Sequence, residues 1–93
     1  MVQIARALIV MFAASLFFAP QAAADQDEYL RKLESRYPYL SSEQLTAAGN
    51  KVCNAIRQGV PASNAAIMVR EDLGVSIPVA GDIVSAAVIE LGC

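Results

Sequence analysis

The sequence predicts an all-α fold, a small bundle of about four short helices stapled by one disulfide. Three observations carry this. Apolar residues recur at steps of three and four along four segments, Pro and Gly separate those segments, and two cysteines, Cys53 and Cys93, stand 40 residues apart.

The first 24 residues do not belong to that bundle. Met1–Ala24 combines a short start with one cation, Arg6, an apolar stretch of 12 residues from Ala7 to Phe18, and a polar break at Pro20-Gln21. Those parts match a secretory signal. Ala22 and Ala24 set small side chains at the third and first positions before Asp25, so the predicted cut lies between Ala24 and Asp25. A retained anchor is the competing reading, but a bilayer-spanning helix needs about 20 apolar residues. The residue after the cut is Asp25 and not the cysteine of a lipid-anchored protein, so a free, secreted product of residues 25–93 is expected, as a monomer.

The first helix is predicted from about Asp27 to Arg36. Tyr29, Leu30 and Leu33 form its apolar stripe, while Asp25, Asp27 and Glu28 suit the positive end of the helix dipole. Pro38 disfavours helical geometry at Tyr37, which makes Tyr37–Leu40 a connection whose aromatics cover the core edge. Ser41-Ser42-Glu43-Gln44 then reads as a capping box opening the second helix. Leu45, Ala48, Gly49, Val52, Cys53 and Ile56 share its inner face, with Glu43, Asn50, Lys51 and Arg57 turned largely away.

Gly59 ends this helix and Pro61 sets a new direction. The third helix takes Ser63 as its expected cap, buries Ala66, Ile67, Val69, the stem of Arg70 and Leu73, and closes at Gly74. The fourth starts near Ser76, with Pro78 tolerated in the first turn because its missing amide has no intrahelical partner there. Ile83, Val84, Ala87, Val88 and Leu91 make the most apolar stripe after the signal, so this helix is expected at the centre. Gly81 is a poor helix former, by about 1 kcal/mol against alanine, and is read as a site of close backbone packing. Strand is the alternative for the β-branched runs near Val75–Val79 and Ile83–Ile89, but they lack alternation and carry Ala80, Ala86 and Ala87.

Residues 25–93 carry six cations against nine acids, a net charge of −3. With no basic cluster, nucleic acid and anionic membrane surfaces are not expected as partners. A domain of this size buries only about 60% of its unfolded surface, so a staple matters. An exported pair of thiols is expected to join as Cys53–Cys93, stabilising the fold by about 4 kcal/mol in the chain-entropy model. An intermolecular bridge through Cys93 is the competing arrangement. Zinc lacks two of its four ligands, and no Cys-x-x-Cys motif supports redox catalysis.

The chain has no histidine, which removes the commonest general base and any Ser-His or Cys-His pair. No serine stands in a Gly-x-Ser-x-Gly elbow, the adjacent acids Asp27-Glu28 and Glu71-Asp72 do not converge, and the glycines form no phosphate loop. No enzyme, metal or cofactor is therefore expected. The sequence leads to a secreted, non-catalytic binding or interaction module of unspecified partner, a protein or a cell-envelope component. The alternative is a small carrier of an apolar ligand or haem, with room left by Ala65, Ala66, Ala86 and Ala87 and iron held by Tyr29, Tyr37, Tyr39 or Met68.

Tyr29-Leu30 with Leu33, Gly49-x-x-Val52-Cys53 within a helix, the stop at Gly59, and a last helix with Val84, Ala87 and a closing Cys93 resemble the family called domain of unknown function 732. Its members are small secreted proteins found mainly in mycobacteria and related actinobacteria. The resemblance runs from about Asp27 to Cys93 and implies an all-helical fold with a disulfide; it brings no activity. Members often end in Tyr-Cys-Pro and carry an aromatic in the last helix, where this chain has Gly92-Cys93 and Ile83-Val84.

Overall fold

A computed structural model describes residues 19–93, with side chains from Asp25 onward. Four helices follow one another: α1 Ala19–Arg36, α2 Ser42–Arg57, α3 Ala62–Leu73 and α4 Ile77–Glu90. The described residues include no strand. Most of the expected export signal, Met1–Ala24, lies outside the described residues.

Helix α1 begins eight residues before the predicted Asp27 and ends at the predicted Arg36. Pro20, read from sequence as a break, sits in the first helical turn, where a missing N–H is not needed. The Ala24–Asp25 bond is therefore inside a helix. The connection after α1 is a turn in which Tyr37 N–H donates to Leu33 O and Leu40 N–H to Tyr37 O. Leu40 is buried there, Tyr37 covers the core edge, and Tyr39 faces solvent.

Helix α2 opens with the predicted capping box: Gln44 N–H donates to Ser41 Oγ, and Ser41 N–H to Gln44 Oε1. Its buried residues are Leu45, Ala48, Gly49, Val52, Cys53 and Ala55, with Ile56 only partly covered. Ser63 does not cap α3. Pro61 holds the extended N-cap conformation, and its carbonyl accepts from both Asn64 and Ala65, which places Ser63 inside the helix.

Ile67 is also not core, being 42% exposed. The buried face of α3 is Ala65, Ala66 and Val69, and at about 100° per residue Ile67 falls on its far side. Gly74, at φ 67°, ends α3 as predicted, and Ser76 Oγ accepts from Val79 N–H at the start of α4.

Helix α4 packs against α1, α2 and α3, the central place expected of it. It meets α3 at a bend of 117°. Ala80, Ile83, Val84, Ala86 and Ala87 are buried, Leu91 is partly covered, and Val88 points outward. The small side chains at 65, 66, 80, 86 and 87 let α4 and its neighbouring helices approach closely.

Gly81 does not serve a close contact: a Cβ built there meets no atom within 4 Å. The close approach is at Gly49 of α2, where a Cβ would stand 2.9 Å from both Cζ and Oη of Tyr29 and 3.0 Å from Cδ1 of Leu91. Tyr29 is fully buried, and its hydroxyl donates to Leu45 O at 2.7 Å. The tyrosine thus lies across α2 in a slot that the missing side chain of Gly49 opens. Gly49, Val52 and Cys53 are one face of one helix: the first admits Tyr29, the second fills the core, the third holds the disulfide.

Candidate functional site

Cys53 and Cys93 form the intramolecular disulfide expected from the sequence, with Cα atoms 5.2 Å apart. Gly92, at φ 74°, turns the chain back after α4 so that Cys93 reaches the middle of α2. The other two named positions, Ala24 and Asp25, lie on α1 one turn before Tyr29, and Asp25 is exposed. The described core begins at Tyr29, so a cut between them leaves every core residue in the C-terminal product.

The aromatic and alanine positions considered for a carrier are engaged in packing. Tyr29 spends its hydroxyl on Leu45 O within the core. Tyr37 donates to Asp82 Oδ2 and meets Tyr39 edge to face, with ring centroids 6.2 Å apart. Met68 is partly buried on α3, away from this cluster in sequence and element. Ala65, Ala66, Ala86 and Ala87 are all buried in helix contacts.

Burial pushes the Tyr29 phenol up to about 12, and the hydrogen bond to Asp82, ahead of partial burial, raises Tyr37 as well. An unfolded tyrosine ionises near pH 10. The folded state therefore holds its Tyr29 proton more tightly, so the stabilisation is complete below about pH 10 and is lost as pH rises towards 12. Unfolding free energies from urea titrations between pH 8 and 12 should fall by up to about 1.4 kcal/mol per pH unit across that window. Tyr29→Phe should remove most of this alkaline loss and leave the smaller part due to Tyr37; an unchanged slope would mean that Tyr29 is not the group responsible.

Ion pairs close the flanks of the bundle. Lys32 meets Glu90 at 3.1 Å and Arg36 meets Asp82 at 3.3 Å, both between α1 and α4, while Lys51 of α2 meets Asp72 of α3 at 2.7 Å. Arg31 faces Glu28 and Arg70 lies 3.9 Å from Glu71. These contacts are half exposed and contribute little each. Their significance lies in what they omit, because Arg57 is the one cation from Asp25 to Cys93 without an acidic partner among the described residues.

Arg57 lies on the outer face of α2, which is bordered by three clefts. One of about 400 Å³ is lined by Gln26, Asn50, Cys53, Asn54, Arg57 and Leu91, directly beside the disulfide. A second of about 400 Å³ follows Glu43, Thr46, Ala47 and Asn50, and a third of about 380 Å³ lies between Ala47, Lys51, Asp72 and Leu73. Gln26 Nε2 reaches Thr46 Oγ1 at 3.4 Å across the α1 and α2 junction. Asn50, Asn54 and Arg57 stand four and three residues apart, so one polar stripe lines the wall of the first cleft.

The sequence places Asn50 and Arg57 on the outer face but does not single out this constellation. Its available signal is that four-then-three spacing of amide, amide and guanidinium. Gln26 joins it only through the crossing of α1 over α2. No group of three or more Cys, Asp or Glu side chains among the described residues is arranged to hold a metal. No single described helix is long and apolar enough to cross a membrane.

No curated protein and no solved structure matches this chain. One family model does match, over residues 24–93, which takes in the whole described core together with both cysteines. The chain belongs to that family, described as protein of unknown function (DUF732).

Proposed function

We propose that this chain is exported by the signal in Met1–Ala24 and that residues 25–93 act outside the cytoplasm as a non-catalytic interaction module, with the outer face of α2 as its contact surface. The single observation that carries the reading is the arrangement around Arg57. On a surface where every other cation from Asp25 onward is matched to a carboxylate, one unmatched guanidinium stands in a cleft with three amides. An unneutralised guanidinium and the exposed amides of Asn50 and Asn54 are suited to recognition, since their donors and acceptors face solvent, while Gln26 is tied to Thr46.

Export is supported by the three-part signal, by the disulfide, which persists in oxidising compartments, and by a family match that begins at the predicted cut. The carrier alternative draws less support, because the alanines that would leave room for a ligand are packed between helices.

A photo-crosslinking side chain at Ala47, exposed on α2, tests the surface. On intact cells of the native host it should give a discrete adduct, and the same probe at exposed Ser63 of α3 should not. Equal adducts from both positions, or none from either, would remove α2 as the contact surface.

A further inference from the structure

The cleft beside the disulfide is specific enough in its chemistry to indicate what it receives. Its lining brings together a guanidinium, Arg57, and three carboxamides, those of Gln26, Asn50 and Asn54, beside Leu91 and Cys53. A guanidinium offers two parallel N–H donors that match the two oxygens of a carboxylate. A carboxamide offers a donor and an acceptor side by side, which matches a hydroxyl that both donates and accepts.

A carboxylate and several hydroxyls on one unit are the features of a sugar acid. We propose that this cleft binds a uronic acid residue of an acidic glycan, with Arg57 on the carboxylate and Asn50, Asn54 and Gln26 on the hydroxyls. The proposal rests on the reading of this chain as an interaction module and names the chemical class of its partner. A volume of about 400 Å³ falls within the range of small-molecule sites.

The rest of the domain sharpens the selectivity. Its net charge of −3 repels polyanions at long range, so binding depends on the local Arg57 contact and not on a general field. Lys32, Arg36 and Lys51, the other cations near grooves, are each held by an acid of a neighbouring helix. A uronate should therefore gather at one place.

The test is an NMR titration of the full chain, with its disulfide formed, against oligomers of galacturonic acid and against neutral galactose oligomers of equal length. The acidic oligomer should shift the Arg57 Nε–H and the Asn50 and Asn54 side-chain amide signals. Arg57→Gln should weaken acidic binding about tenfold or more, and Arg57→Lys, which keeps the charge but loses the fork, should fall between. Arg57 is exposed, so these variants leave the core intact.

Equal binding of the neutral oligomer, shifts spread evenly over Lys51 and Arg70, or no shift at the Arg57 cluster would each overturn the proposal. None of those outcomes touches the crosslinking result at Ala47, so a failure of the glycan reading is distinguishable from a failure of the interaction module on which it rests.

Discussion

Replacing both Cys53 and Cys93 by alanine should lower the stability of the fold by about 4 kcal/mol, the chain-entropy value for a closure of 40 residues. Domains gain roughly 0.05–0.15 kcal/mol per residue, so the 69 residues from Asp25 to Cys93 carry only about 3–10 kcal/mol in all. The bond therefore supplies a large share of what holds the folded state. Its position multiplies the effect: Cys53 is in the middle of α2 and Cys93 follows the end of α4, so the staple ties the most connected helix to the one that carries the candidate cleft.

Alanine is the informative replacement because Cys53 is 4% exposed, and a serine there would add a buried hydroxyl to the loss of the bond. Urea unfolding at pH 7 of the oxidised wild type, the reduced wild type and the double alanine variant gives the comparison. Reduced protein and variant should unfold at similar midpoints, both well below the oxidised form. A difference under about 1 kcal/mol between oxidised and reduced protein would show that the core holds without its staple, against the surface arithmetic of a domain this small.

Several helix ends were legible because local chemistry decides them, and the disulfide because the chain has only two cysteines to pair, whereas the starts of α1 and α3 were not. Ser41 with Gln44, Gly74, and Ser76 with Pro78 each solve the problem of unpaired backbone groups within four residues of sequence, and each stands where its residue type predicts. What sequence could not rank were alternatives separated by tertiary packing. Gly49 and Gly81 are both glycines inside helices, and only the crossing of α1 over α2 makes one of them a slot for Tyr29 while the other faces open space.

The same distinction holds at the surface. Arg57 is legible as an outward cation from its helical phase. Its lack of an acidic partner is not, because that depends on which acids the fold delivers to which cations over separations such as Lys32 to Glu90. Ile67 departs from its expected burial for a related reason: its size marks it as core, although the buried face of α3 is that of Ala65, Ala66 and Val69.

Tyr29→Ala should destabilise the fold by about 3–5 kcal/mol, comparable with losing the disulfide, since it empties a fully buried aromatic site and removes the hydrogen bond to Leu45 O. Gly49→Ala alone should also destabilise, because the new methyl meets Tyr29 Cζ and Oη at 2.9 Å, and a fully buried, hydrogen-bonded ring has nowhere to move. Overpacking of this kind costs about 1–3 kcal/mol, offset in part by the roughly 1 kcal/mol that alanine gains over glycine in a helix.

The decisive measurement is the double variant. With Tyr29 truncated, the methyl at position 49 loses its two closest contacts, keeps the one with the flexible end of Leu91, and fills part of the emptied slot. Gly49→Ala should then change sign and stabilise the Tyr29→Ala background by up to about 1 kcal/mol through helix propensity. Urea midpoints of the four proteins give a double-mutant cycle, and the interaction term should be of order 1–3 kcal/mol in favour of the pair. A cycle that closes additively would mean that Tyr29 does not occupy the slot over Gly49, and the account of the Gly-x-x-Val-Cys face as the seat of α1 would have to be given up.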